Sequence, residues 1–181
     1  MMKLKNPLLA FVAVSVILTS CKLIDKLTQF NVPYTSNFII PASPIPGLLG
    51  DIFTPDISTN SEQVFSNNNT NSGLLEQVLL KTLKLTITSP SGKKFDFLKS
   101  ADVYLSADGL AEIKVASIDN IDDATVGSSI NMVTSNEDLK EYLKKSKFKI
   151  RVVTTTDKIV TEDVSVKIDA SFFVDAKILG V

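Results

Sequence analysis

Apolar and polar residues alternate along most of this 181-residue chain, and the longest such run closes it. Val164, Val166, Ile168, Ala170, Phe172, Val174, Ala176 and Ile178 fall on one side. Asp163, Ser165, Lys167, Asp169, Ser171, Asp175 and Lys177 fall on the other, and Phe173 is the exception. A period of two is the signature of a strand with one buried and one wet face. At about 3.3 Å per residue, Val164 to Ile178 reaches roughly 50 Å, longer than a small sandwich is deep. The run therefore predicts a bend, a bulge or a strand shared between two sheets.

Shorter alternations lie upstream. Phe30, Val32, Tyr34, Phe38 and Ile40 share a face, with Asn31, Thr35 and Asn37 opposite. Pro33 within that run predicts an edge strand or a bulge, because proline brings no N–H to a ladder. Pro41-Ala42-Ser43-Pro44-Ile45-Pro46-Gly47 predicts a loop. The apolar Leu48, Leu49, Ile52 and Phe53 after it either tuck back onto the core or form an exposed patch. A short strand is expected between Asp56 and Phe65, then a polar turn over Ser66-Asn67-Asn68-Asn69-Thr70-Asn71. Leu83, Leu85 and Ile87, the turn Ser89-Pro90-Ser91-Gly92, and the returning Phe95 and Phe97 predict a hairpin. Ala101, Val103 and Leu105 before Ala107-Asp108-Gly109, with Ala111, Ile113 and Val115 after it, predict another. Phe148, Ile150 and Val152 start a strand that turns near Thr156-Asp157-Lys158.

Two stretches change period. Leu74, Leu75, Val78 and Leu79 stand at helical spacing behind Ser72, which predicts a short helix from Gly73 to about Lys81. Ser135-Asn136-Glu137-Asp138 resembles a capping box with aspartate in the third position, ahead of Leu139, Tyr142 and Leu143 as a second helix's buried stripe. Asp119 to Val133 is less regular. Many short strands, frequent turns and two short helices make a mainly β chain. The expected fold is a single antiparallel β-sandwich, or partly open barrel, over residues 30–181, with the helices plugging its ends.

The amino-terminal segment follows another pattern. Lys3 and Lys5 precede Leu8 to Leu18, in which only Ser15 is polar. A basic start, a short apolar stretch and small residues before a cut make a secretory signal. The run is well short of the about 20 residues a bilayer span requires. Leu18-Thr19-Ser20-Cys21 resembles the lipobox of bacterial type II signal peptides. That resemblance implies cleavage before Cys21, diacylglycerol on its thiol and an acyl chain such as palmitate on its new amino terminus. Residues 1–20 are then a removed leader, and residues 21–29 a short membrane-proximal tether with Leu23, Leu27 and Phe30 at helical spacing. From Lys22 to Gln29 the chain reaches about 30 Å at most, which keeps the domain near its membrane. More than one acyl chain gives stable anchoring. The chain as a whole resembles small envelope lipoproteins of the Bacteroidota, a likeness that carries no known activity. Lys22 after the cysteine implies the outer membrane under the enterobacterial sorting rule, with the face left open.

Composition narrows the chemistry. Without Lys3 and Lys5, 17 of the 19 basic side chains stand against 20 acidic ones, so there is no electrostatic footprint for nucleic acid. Cys21 is the single cysteine, which leaves no disulfide within one chain. Histidine and tryptophan are absent from the sequence, which removes His-dependent triads and the commonest metal ligand. Ser91-Gly92-Lys93-Lys94 matches the Ser-x-x-Lys nucleophile motif, but that serine starts a helix and works with Ser-Asp-Asn and Lys-Thr-Gly elements, which do not occur here. Ser146-Lys147-Phe148-Lys149 matches the same pattern by accident. Asp119, Asp122 and Asp123, with Asn120, form an oxygen-rich loop and are the candidate Ca²⁺ ligands. Their spacing departs from the EF-hand pattern, so a solvated turn is expected and no metal or other cofactor is assigned.

These readings predict no enzyme. They predict a lipid-anchored cell-envelope lipoprotein acting as an interaction or structural module, with the membrane and an envelope protein as its partners. The alternative is a carrier of lipid or another apolar ligand, in a cavity walled by Phe95, Phe97, Leu139, Phe148 and Phe172. An envelope hydrolase is the third reading.

Overall fold

The computed structural model describes residues 29–177; the expectations for Cys21, the leader, the tether up to Thr28 and Ile178 lie outside that range. The fold is an antiparallel β-sandwich. One sheet has the order β1-β10-β4-β7, from strands Gln29–Ile40, Val164–Ala176, Leu75–Ser89 and Ser129–Asn131. The other has the order β2-β9-β5-β6-β8, from Gly47–Phe53, Lys147–Thr156, Leu98–Ser106, Ile113–Ile118 and Val133–Thr134, with the short β3 (Ile57–Ser58) also pairing with β9. Among the described residues two helices, α1 (Ser61–Asn67) and α2 (Lys140–Leu143), complete it.

β10 alternates without a fault. Every even position from Val164 to Ala176 is buried and every odd one half-exposed. The irregularity expected in it sits in its neighbour instead. The β10–β4 register shifts opposite Ser165/Val166, Ser171/Phe172 and Asp175/Ala176, where β4 inserts Thr88, Lys81 and Glu76 as extra residues. Such bulges sharpen the twist of a long pair. They also spread the buried residues of β4 to Leu75, Val78, Leu80, Leu83, Leu85 and Ile87. The helix expected from Gly73 to Lys81 is therefore a strand; its apolar spacing of three comes from bulges. Only one 3₁₀ turn, Ser72–Leu74, precedes it, and Asn71 rather than Ser72 caps that turn by accepting from the Gly73 N–H at 2.9 Å.

Three further expectations change. Ser89-Pro90-Ser91-Gly92 does not close a hairpin: β4 and β5 belong to different sheets, and the turn carries the chain across, with Phe95 and Phe97 entering the core between them. Residues 48–53 form a strand, with Leu49 buried, Ile52 packed on the core and Phe53 exposed. The short strand expected between Asp56 and Phe65 is present as β3, but beyond Asn60, in left-handed backbone, the chain turns helical, and Ser66 and Asn67 of the expected turn belong to α1. The Asp108-Gly109 hairpin is as expected: β5 pairs with β6, and Gly109 takes the φ of +71° that its turn requires. Leu139, Tyr142 and Leu143 form the buried stripe of α2. Its N-cap is Leu139, and the carboxylate of Asp138 just before it, not Ser135, accepts from the Lys140 N–H at 3.1 Å.

Short crossovers at one end of the sandwich join β1 to β2, β4 to β5 and β9 to β10. Two of these loops are tied together by reciprocal backbone bonds between Ser43 and Val160, at 2.8 and 2.9 Å. Both helices lie at the opposite end. There Thr70 Oγ1 donates to the Lys177 carbonyl at 2.6 Å, and Thr59 Oγ1 to the Lys145 carbonyl at 2.6 Å. The strand shared between sheets is Ser129–Thr134. Its first part pairs with β4 and its last with β6, and the Met132 N–H donates to the Leu83 carbonyl at 2.9 Å as it crosses. Among the described residues no helix is long and apolar enough to cross a membrane.

Candidate interaction edge

The shared strand closes one side of the sandwich; the other side ends on β1 and β2. β1 pairs with β10 alone, in an unbroken register from Gln29↔Asp175 to Ile40↔Val164. Pro33 is thus in an edge strand, and with no bulge to absorb it, its nitrogen points to the open side. Backbone direction alternates along a strand, so Asn31, Thr35, Asn37 and Ile39 present their N–H and C=O groups to that side as well. Among the described residues no strand pairs on that side and no turn or loop backbone bond reaches those groups. Gln-Phe-Asn-Val-Pro-Tyr-Thr-Ser-Asn-Phe-Ile-Ile carries no charge over its 12 residues.

The other borders are protected. β7 and β8 have three and two residues. The part of β4 beyond β7 is covered by the α2 segment, where Val78 donates to Asp138 Oδ1 at 3.0 Å and accepts from the Leu139 N–H at 2.8 Å. β2 is interrupted by a register shift between Leu49 and Ile52 and carries Asp51. Short strands, bulges and charges are the usual means of blunting an edge. β1 has only Pro33.

A groove of about 610 Å³ runs along this edge, between Asn31–Ser36 on one side and Asp56–Asn60, Val64, Asn67 and Asn68 on the other. Tyr34 crosses it from β1, its hydroxyl donating to the Thr59 carbonyl at 2.7 Å. Its ring packs edge-on against Phe148 and Phe172, with centroids 5.2 and 5.6 Å away. Burial pushes its phenol up to about 12, so at neutral pH it remains a donor. Asp56 lies at the groove's far wall. The Lys147 ammonium, 2.5 Å away, holds its carboxylate below the ordinary range despite some desolvation, and Lys149 adds to this at 3.3 Å.

The other candidate residues are apart from this edge. Asp122 directs one carboxylate oxygen to the Ala124 N–H and the other to the Thr125 hydroxyl, both at 3.0 Å, while Asp123 pairs with Lys158 at 2.7 Å. With Asp119 they make no group of three placed to share an ion among the described residues. Ser91 is exposed in its crossover turn, and Lys93 beside it lies over the Phe97 ring at 5.4 Å. The rings named as a cavity wall pack on one another: Phe148 lies 6.1 Å from Phe172, and Phe95 6.3 Å from Phe97. Pro33 was the one sequence signal for the edge. The groove's far wall was hidden, because α1 read as strand and turn.

No protein-family model matches this chain, and no curated protein does. Among solved structures, a chain from Desmodium yellow mottle tymovirus aligns over 84% of this chain and 85% of its own at 12% identity and a TM-score of 0.23, too low to inform fold or function.

Proposed function

We propose that this chain is a lipid-anchored lipoprotein of the cell envelope, held in the outer membrane through Cys21, and that its sandwich is a non-enzymatic interaction module working through the open edge of β1. The observation that carries the reading is that edge. It is 12 residues long and uncharged, and it borders a groove that the other described residues leave open. Exposed edges template strand addition, and extended segments recognise them through main-chain bonds. The anchor rests on the lipobox-like Leu18-Thr19-Ser20-Cys21, eight positions before the first residue of β1. A lipid there keeps the helical end of the sandwich within about 30 Å of the bilayer. The absence of catalysis is supported by the sequence, which lacks histidine, and by the setting of Ser91 in an exposed turn.

Cys21→Ser tests the anchor. The variant is expected in the soluble fraction with its thermal melt unchanged, since the acylation site is the only thing removed. Retention in membranes after a high-salt wash overturns the anchored reading. A specific turnover of an ester, glycoside or peptide, lost on changing Ser91 or Asp122, overturns the non-enzymatic one.

A further inference from the structure

We propose that the turn Ser91-Gly92-Lys93-Lys94 and the facing Gly127-Ser128 form a binding site for a phosphate monoester. The site lies at the crossover end of the sandwich, apart from the edge of β1, and does not depend on the interaction reading above. It takes up the Ser-x-x-Lys match that catalysis leaves unused.

Two segments make the site. The turn leaves β4 with the Lys93 N–H donating to the Pro90 carbonyl at 3.3 Å and with Gly92 at a φ of +78°. The approach to β7 is fastened beside it: the Ile87 N–H donates to the Ser128 carbonyl at 2.8 Å and the Phe95 N–H to the Gly127 carbonyl at 3.0 Å. Between them lies an open cleft of about 460 Å³, with Ile87, Thr88 and Pro90 also on its wall. Donors remain to be satisfied there. The N–H groups of Ser91, Gly92, Lys94, Gly127 and Ser128 enter no turn or loop backbone bond. Ser91 and Ser128 add hydroxyls, and Lys93 and Lys94 form no ion pair among the described residues. The Lys93 ammonium lies 5.4 Å from the ring of the buried Phe97, a contact that places the charge without neutralising it.

The sign of the ligand follows from what lines the cleft. No carboxylate does, whereas the groove beside β1 has Asp56 and the one along α1 has Glu62. Turn N–H groups together with lysine ammonium groups are a recurring set of donors to phosphate. Planar carboxylates are matched by the fork of arginine, and the single arginine of the sequence, Arg151, is held by Asp51 and Glu112. Two point charges amid scattered N–H and O–H donors suit a tetrahedral, doubly charged group better.

The test titrates the isotope-labelled full chain, extracted in detergent, with glycerol phosphate and, separately, glucuronate. Glycerol phosphate is expected to shift the amide signals of Gly92, Lys94 and Gly127 to saturation, and glucuronate to bind more weakly. Lys93→Gln with Lys94→Gln is expected to weaken the phosphate titration by about tenfold or more. Lys84→Gln with Lys145→Gln, the same loss of charge elsewhere, is expected to leave it as in the wild type. Amide signals away from the turn report that each variant is folded. Flotation of the Cys21→Ser chain with phosphatidate vesicles identifies the source of the phosphate. Shifts without flotation assign a soluble ester, and flotation that only the Lys93 and Lys94 pair abolishes assigns a bilayer phosphate. Equal titration by glucuronate, a phosphate response that the two pairs of variants lose equally or not at all, or no response in either arm overturns the site.

Discussion

At the scale of single residues, the buried and wet faces of β10 differ in what they contribute. Phe172 is 2% exposed, against the Tyr34 and Phe148 rings. Truncation to alanine removes those contacts and leaves a void, so Phe172→Ala is expected to cost about 3–5 kcal/mol in denaturant melts. Lys167, on the outer face, reaches Asp169 on its own strand at 2.8 Å. Exposed pairs of this kind contribute little, and Lys167→Ala is expected to change stability by less than about 0.5 kcal/mol. Equal losses at the two positions would mean that the alternation does not sort core from surface. Phe173, the exception in the pattern, is half-buried on the outer face, where the Lys81 ammonium sits 4.9 Å from its ring. Lys81 is itself one of the extra residues of β4. What reads as a break in the code is one half of a cation–π contact across two strands, and only the register shift shows where its other half comes from.

At the scale of elements, legibility in the sequence depended on whether a pattern was local. β10, β9, α2 and the Asp108-Gly109 hairpin carry their own signals and form where those signals stand. The start of β4 does not. Its Leu75, Val78 and Leu79 imitate a helix, because bulges at Glu76 and Lys81 exist only against β10, which follows about 90 residues later in the chain. The turn before Phe95 likewise gives no sign of which sheet the next strand will join. Asp138 is a third case. It stands in a capping position, yet its carboxylate also receives the buried Val78 N–H and so stands in for a strand that β4 lacks. Asp138→Ala leaves that N–H unpaired, at a cost of about 1–3 kcal/mol. Burial pushes the Asp138 carboxyl up, but the Val78 N–H, the Lys140 ammonium and the Lys140 N–H outweigh it and leave it below its ordinary 3.8. A carboxylate lowered on folding contributes stability above its unfolded value and loses it as pH falls through the folded one. Asp138→Asn keeps the acceptor without the charge. Its deficit against the wild type is expected at pH 5–7 and should vanish in acid melts; a deficit that persists below both values would assign the effect to packing.

At the scale of the whole molecule, the closed and open sides of the sandwich are unlike, and Tyr34 reports on the open one. Its hydroxyl is the polar contact from β1 across the groove, so Tyr34→Phe is expected to lose about 1 kcal/mol. Because folding raises this phenol from 10 to about 12, its contribution is complete below pH 10 and is lost as pH climbs through 12. Alkaline melts should show that loss in the wild type and a smaller one in Tyr34→Phe; identical alkaline profiles would mean the phenol ionises freely in the folded protein. The strand from Ser129 to Thr134 has a mechanical consequence. Two layers in contact only through side chains can slide past each other, but here a run of continuous backbone rivets them along one margin. A rotation of one layer against the other would turn, like the leaves of a book, about a spine at Met132. Displacement grows with distance from a spine and is greatest at the fore-edge, where β1 and β2 lie. One corner of that fore-edge is stapled by Ser43 and Val160. The other is latched from β1 by the Tyr34 phenol, and whatever settles against β1 settles beside that latch.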